Sequence, residues 1–418
     1  MYDSEKKEII NFTQKRIFKV RDKTLQLISN LEPEDLVIQT EDYVSPIKWH
    51  LGHTTWFFEK FLLTPNLKNY KLFNKNFDYI FNSYYESIGN FNPKSKRGNL
   101  SRPTLNEILS YRQYVNSFLK KMITNKLNLE QRFLIDLGIS HEEQHQELIL
   151  MDIKNIFFNN PLKPKYIELK NNNPREKNKK ENSFYLKNKI VFDFGHNSKN
   201  FCYDNELPKN TYTLEPFKLS SFITNKEWKD FIDNGGYKNF RYWLSDGWDF
   251  IKKNKIDKPL YWLDQNNYFT LSGVKKIDND APVSHISYYE ANAYANYKKS
   301  RLPNEFEIEY VLKSTSKKGN FLENNIYEAT SYDNDFYLES FYGNLWIWSS
   351  SYYVPYKNYQ PFNDKLIEYN SKFMCNQIVL KGGSFSTPQD HIRSSYRNFY
   401  YPWDRWQFSG LRLAQDLD

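Results

Sequence analysis

The hydrophobic pattern divides the chain into two textures. Up to about residue 157 the apolar positions recur at steps of three and four, the spacing of a buried helix face. IINFTQKRIFKVRDKTLQLISNL carries Ile10, Ile17, Val20, Leu27 and Leu31 in that way. WHLGHTTWFFEKFLL (49–63), TLNEILSYRQYVNSFLKKMI (104–123) and LNLEQRFLIDLGISHEEQHQELILMDIKNIFF (127–158) are three further helical stretches. Thr104 with Glu107 forms a capping-box pattern directly after Pro103 and marks where the third one opens. Four long amphipathic helices predict a four-helix bundle. From about residue 184 the texture changes to short strand-like runs, KIVFDFG, YTLEPFKLSSF and QIVLKGGSF, with Gly- and Asn-rich turns and two helical pieces, NKEWKDFIDNGG and SYYEANAYANYKKS. The fold class expected is α+β: a helical domain over 1–158, a polar Asn/Lys-rich linker over 159–183, and a mixed domain over 184–418.

Composition changes this picture little. The 418 residues suffice for two cores, and a net charge of +8 comes largely from scattered lysines and from KNNNPREKNKKENS. No nucleic-acid motif accompanies that charge, so no nucleic-acid partner is expected. No run reaches the roughly 18 apolar residues of a membrane helix, and the N-terminus has no signal-peptide core. Two cysteines, Cys202 and Cys375, give neither a disulfide framework nor a CxxC metal motif. These features together point to a cytoplasmic protein.

The histidines do change the picture. His141 and His145 lie four apart in HEEQHQELIL, on the face that also carries Leu134, Leu137 and Leu148, with Gln144 beside it. In the second helix Trp49, His53, Trp56 and Phe57 form a comparable stripe. A single inward histidine is usually satisfied by a hydrogen bond. Three in one bundle core are costly unless they share a partner, and a divalent metal satisfies all three. His50, three residues from His53, is a rival ligand. Spacing alone does not choose iron over zinc. HEEQH also matches the zincin HExxH pattern, but the third candidate ligand lies upstream on another helix, which argues against that reading.

The motifs SPIKWHLGHTTWFFEKFLL, FNSYYESIG, RGNLSRPT and HEEQHQE resemble the DinB-like domain of the sulfoxide synthases of ergothioneine biosynthesis, the hercynine oxygenases. APVSHISYYEANAYANY, SRLPNEFEIEY, YGNLWIWSSSYYVPY, VLKGGSF and WQFSGLRLAQD resemble the formylglycine-generating-enzyme/sulfatase-modifying domain, a C-type-lectin-like fold. The resemblance spans nearly the whole chain in the family's order. It implies mononuclear non-haem Fe(II) held by His53, His141 and His145, and O2-dependent joining of a thiol sulfur to C2 of the imidazole of N-α-trimethylhistidine (hercynine), giving a sulfoxide. It implies Gln144 on the hercynine side, Asn398 at the trimethylammonium–carboxylate end with Phe399 beside it, and Tyr84 and Tyr85 as the active-site phenols. A phenol can give a proton or hydrogen atom without prior ionisation.

The thiol donor is a separate question. Family members using γ-glutamylcysteine have an Asp and an Arg in the run that here reads Asn398, Phe399, Tyr400, Tyr401, Pro402, Trp403, Asp404, Arg405. Tyr400 stands in place of that Asp and Asp404 in place of that Arg, which favours free cysteine. Arg97 or Arg102 could meet its carboxylate. The same reaction with γ-glutamylcysteine, selenoneine synthesis from a selenosugar, and an inactive DinB/lectin-like binding module remain alternatives. Formylglycine chemistry fails for want of a cysteine pair near KGGSFSTPQDHIRSSYR. An ovothiol-type synthase would attack C5 and commonly carries an added methyltransferase domain. Ile347 stands where a Glu is usual, which puts a structural calcium there in doubt.

Overall fold

The structure, a computed structural model, describes residues 2–168, 183–196, 200–331, 341–362 and 366–417, with side chains from residue 15 onward. The chain forms two compact units, Met1–Tyr166 and Ile167–Asp418. Most of the polar span expected to be a linker, residues 169–182, lies outside the described residues. Tyr166 belongs to the first unit: it is buried, and its hydroxyl donates to Leu27 O at 2.8 Å.

Four helices build the first unit: α1 (Tyr2–Ile28), α2 (Ile47–Phe57), α3 (Leu105–Ile123) and α4 (Leu129–Asn159). α1 packs on α3 and α4, and α2 packs on the same two. Thr104 and Glu107 make the expected capping box on α3, and Asn128 with Gln131 makes another on α4. The second stretch departs from the prediction. Its α-helix stops at Phe57, and Phe58–Leu63 is a π-helix. The extra residue turns Glu59 inward, where it accepts from Tyr70 Oη at 2.7 Å and Tyr111 Oη at 2.6 Å.

α2 and α4 are also buried well beyond a single stripe. Every residue of α2 is buried, and on α4 Glu142, Glu143, Gln146, Glu147 and Asp152 are buried with the apolar positions, whereas Leu148 is only half-buried. Buried carboxylates need partners. Glu142 accepts from Arg21 Nη1 at 2.9 Å, from Thr24 Oγ1 at 2.8 Å and from Arg112 Nη2. This removes the zincin reading, because the Glu that would be its general base is neutralised by two guanidinium groups.

Among the described residues the second unit has four helices of nine or ten residues rather than two: α5 (Asn225–Asp233), α6 (Ser245–Lys253), α7 (Tyr288–Tyr297) and α8 (Glu305–Ser314). Three open with capping boxes, Thr224/Glu227, Ser287/Glu290 and Asn304/Glu307. Strands β1 (Phe184–Leu186), β2 (Ile190–Phe194), β3 (Asn210–Leu214), β4 (Phe217–Phe222), β5 (Asn267–Thr270), β6 (Gly273–Lys276), β7 (Trp346–Tyr352), β8 (Ile378–Lys381), β9 (Asn398–Tyr400), β10 (Ser409–Gly410) and β11 (Arg412–Asp416) form small sheets. Their orders are β1-β4-β11, β10-β7-β8-β9, β2-β3 and β5-β6. Ile347 on β7 is fully buried opposite Lys381 on β8, whose ammonium pairs with Glu309 at 2.9 Å. The fold class is α+β, a helical unit followed by a sheet-containing one, as expected. No described helix is long and apolar enough to cross a membrane.

The Glu142 cluster makes a stability prediction. Burial raises its carboxyl, but Arg112 and Arg21 outweigh that and hold it below the ordinary range. A depressed carboxyl contributes stability that is present above its unfolded value and lost as the pH falls through the folded one. Glu142→Ala leaves two guanidinium groups buried without their charge and should cost about 3–5 kcal/mol. Thermal melting checks it: the variant melts well below the parent at pH 7, and the gap narrows as the pH falls below the ordinary carboxylate range.

Candidate metal centre

The structure brings His53, His141 and His145 together. One ring nitrogen from each lies within 4.8 Å of the others, and all three side chains are buried. His53 Nε2 and His141 Nε2 face each other at 3.1 Å. Two ligands at right angles, each about 2.1 Å from a metal, would stand about 3.0 Å apart, whereas a tetrahedral pair would be nearer 3.4 Å. The His53–His141 pair is close enough for one ion to take both nitrogens, and all three ring nitrogens lie within 4.8 Å of one another. Burial lowers His53 well below the ordinary imidazole value, aided by His141, and the same causes act on His145. His141 is lowered by burial to about 3. All three rings are therefore neutral near pH 7, the form that offers a lone pair to a metal. Among the described residues no carboxylate joins the cluster, so a divalent ion held here would keep its double positive charge towards further, anionic ligands.

Hydrogen bonds behind the rings decide which nitrogens face inward. His53 Nδ1 donates to Phe81 O at 2.6 Å, which leaves Nε2 bare. His50 is not part of the cluster. Its Nε2 donates to Asp152 Oδ2 at 2.8 Å and its Nδ1 meets His145 Nδ1 at 2.7 Å. His50 thus stands behind a ligand candidate rather than competing with His53. Asp152, which the sequence reading missed, lies seven residues after His145 in LILMDIKNIFF, two turns along the same face.

The inward stripe of α2 does a second job. Trp49 Nε1 donates to Ile80 O at 2.9 Å and Trp56 Nε1 to Asp78 Oδ1 at 2.8 Å, on either side of the His53–Phe81 bond. One face of α2 thereby holds the short helix Phe77–Phe81. Gly52 permits the approach: a Cβ there would lie 2.2 Å from the Phe81 ring. Asn82 follows directly and is fully buried. Its Oδ1 accepts from Tyr85 N at 2.9 Å, and its Nδ2 donates to Tyr85 O at 2.9 Å and Gly89 O at 3.2 Å. Tyr84 and Tyr85 are thus carried on a loop fastened to the helix of His53. Their rings stack at 4.6 Å with the hydroxyls 3.5 Å apart; Tyr85 is buried against Trp56 and Phe61, and Tyr84 is half-buried.

The other predicted site residues divide. Gln144 is half-buried on α4, one residue before His145. Arg97 is buried with its guanidinium 3.4 Å from the Trp49 ring centroid, and that ring stacks on His53 at 4.5 Å. Its Nη1 donates to Ser45 Oγ at 3.0 Å, its Nε has no hydrogen-bond partner, and it lines a small pocket with Lys48, Trp49 and Phe81. Arg102 is exposed and donates to Ser101 O. In the second unit Asn398 and Phe399 lie on β9, half-buried, with Phe399 stacked on Tyr353 at 4.1 Å. Asp404 Oδ2 accepts from Tyr401 N at 3.1 Å, and Arg405 pairs with Glu290 at 2.8 Å.

Comparison with known proteins gives these features a family. Residues 174–337 and 323–417 match the sulfatase-modifying factor enzyme 1-like domain, and residues 17–149 match the DinB superfamily. A hercynine oxygenase of Mycolicibacterium thermoresistibile is 25% identical over 97% of this chain and 94% of its own length. One from Mycobacterium tuberculosis is 26% identical over 96% and 97%. Ergothioneine biosynthesis protein 1 of Schizosaccharomyces pombe is 26% identical over 52% of this chain and 28% of its own length. With both domains present in the same order and the match running nearly end to end, the chain belongs to the hercynine oxygenase family, whose C-terminal half is a sulfatase-modifying factor domain.

Proposed function

We propose that this oxygenase is a non-haem Fe(II)- and O2-dependent sulfoxide synthase that joins the sulfur of cysteine to C2 of the imidazole of hercynine. The observation that carries the reading is the buried cluster of three imidazoles, kept neutral by burial, with one ring nitrogen from each within 4.8 Å of the others and no carboxylate among them. In the overall change the C2–H and S–H bonds are lost, C2–S and S=O bonds form, and the second oxygen atom of O2 leaves as water. Bound iron(II) supplies the one-electron chemistry that lets triplet O2 react, and its charge lowers the pKa of a thiol beside it.

The chain's own residues bind, orient and move protons. His53, His141 and His145 hold the metal. Tyr84 and Tyr85 are the proposed proton donors, carried on a loop fastened to the helix of His53. The family resemblance is what assigns Gln144 to the hercynine side and Asn398 with Phe399 to its trimethylammonium–carboxylate end. Arg97 receives the cysteine carboxylate; its buried guanidinium, with an unpartnered Nε in a small pocket, supports that role better than the exposed Arg102. Free cysteine is favoured over γ-glutamylcysteine because Arg405 is engaged by Glu290 and Tyr400 carries no charge for the dipeptide's ammonium.

Three outcomes are expected. Alanine at His53, His141 or His145 singly lowers Fe(II) affinity by more than about 100-fold, beyond the loss from an outer-layer partner, as read by metal titration. Phenylalanine at both Tyr84 and Tyr85 leaves fold and iron intact but slows sulfoxide formation by about 100-fold or diverts oxygen to the thiol, giving cysteine sulfinate. An unchanged rate and product by mass spectrometry would remove both phenols from the mechanism. In competition at equal concentration, anaerobically loaded protein exposed to air with hercynine and both thiols makes the cysteine adduct in about tenfold excess or more, a difference of about 1.4 kcal/mol. A dominant γ-glutamyl product would overturn the donor assignment.

A further inference from the structure

Behind His145 lies a chain of buried polar groups whose proton positions can be worked out one by one. Asp152 Oδ2 accepts from Ser45 N at 3.0 Å and meets His50 Nε2 at 2.8 Å. A carboxylate only accepts, so His50 carries its proton on Nε2, and in the neutral ring Nδ1 is then a bare lone pair. That nitrogen lies 2.7 Å from His145 Nδ1, so His145 must be the donor there. With its proton on Nδ1, His145 has no choice but to present Nε2 to the cluster. No other arrangement of two neutral rings satisfies both contacts. His50, Asp152 and Ser45 are 2%, 1% and 3% exposed, so water does not compete for these bonds.

The two supported rings are backed differently. His53 leans on a neutral acceptor, the Phe81 carbonyl. His145 leans on an imidazole that itself leans on a carboxylate, and Asp152 Oδ1 is buried without a hydrogen-bond partner, so the carboxylate's hydrogen bonding is concentrated on Oδ2. A hydrogen bond to a group carrying negative charge makes the donor ring a stronger base at its other nitrogen.

We propose that Asp152 and His50 form a two-residue positioning arm that fixes the tautomer of His145 and passes part of the carboxylate's charge through it to the metal. The inference rests on the metal-site reading above. Ser45 continues the arm: its N–H holds Asp152, and its Oγ accepts from Arg97 Nη1 at 3.0 Å.

The test is titration of the metal-free full chain with Co(II), whose visible d–d bands report the field of its ligands. The parent is compared with His50→Phe, which cuts the arm, and Asp152→Asn, which keeps its skeleton but removes the charge. Affinity should fall about 10–100-fold in His50→Phe and by less in Asp152→Asn, with the bands displaced in both. A purely structural role would lower the apo melting temperature without moving the bands of the bound ion. If His50→Phe does not fold, Asp152→Asn alone carries the result. Affinity and bands unchanged in the variants, with the parent binding normally, overturn the arm and leave the proposed function standing. A parent that binds neither Co(II) nor Fe(II) overturns both.

Discussion

Two imidazole nitrogens facing each other at 3.1 Å, in a space shut off from water, are the constraint around which the first unit is arranged. Burial keeps both rings neutral, and without a cation His141 donates its Nε2 proton to the bare Nε2 of His53. A cation between them takes the place of that shared proton, and the surrounding structure makes the rings ready for it. Two of the three have their outer nitrogen engaged by an acceptor, a carbonyl for His53 and the His50–Asp152 pair for His145. The ordering entropy of those rings is met during folding, so a metal finds its donors already turned inward.

Preorganisation of this kind needs a rigid α4, and the reverse side of that helix provides it. Glu142, next to His141 in sequence, points the other way, into a pair of guanidinium groups from α1 and α3. A buried ion cluster is poor evidence of net stability, but it is specific. Any rotation of α4 that moved the histidines would also pull Glu142 from Arg21 and Arg112. The register of one helix face is thereby locked by the chemistry of the opposite one.

The legible part of the site was the part written in apolar periodicity. The four long helices, the capping box at Thr104 and the inward stripes of His53, His141 and His145 follow from spacing, and the structure brings those three rings together. What periodicity hid were buried polar residues that look like solvent-facing ones. Asp152 is a single acid in an apolar run, and nothing in LILMDIKNIFF says that it is inside. His50 read as a rival to His53 because residues three apart on a helix differ by only about 60° in direction. Both do point towards α4, but at different depths, one to the cluster and one to the ring behind it. The π-helix left no mark at all, since FFEKFL is as good a sequence for an α-helix. In the second unit α6 and α8 were passed over because SDGWDFIKK and EFEIEYVLKS are short and lie among turn residues.

Charge accounting in the second unit bears on the thiol donor. The segment from Arg393 to Arg405 carries three arginines, enough on composition alone to receive a dipeptide's two carboxylates. Each is already engaged: Arg393 with Glu206, Arg397 with Glu305 at 2.8 Å, Arg405 with Glu290 at 2.8 Å. Releasing any of them to a substrate would strand a buried glutamate, a loss of several kcal/mol that one new ion pair does not recover. The negative groups are committed too, with Asp404 taken up by the backbone N–H of Tyr401. A segment whose charges are spent internally is left with aromatic side chains at its surface, where Tyr401 and Trp403 are exposed and stack on each other at 4.9 Å. Such faces suit a trimethylammonium group, which is attracted to the π-cloud and has no hydrogen to donate.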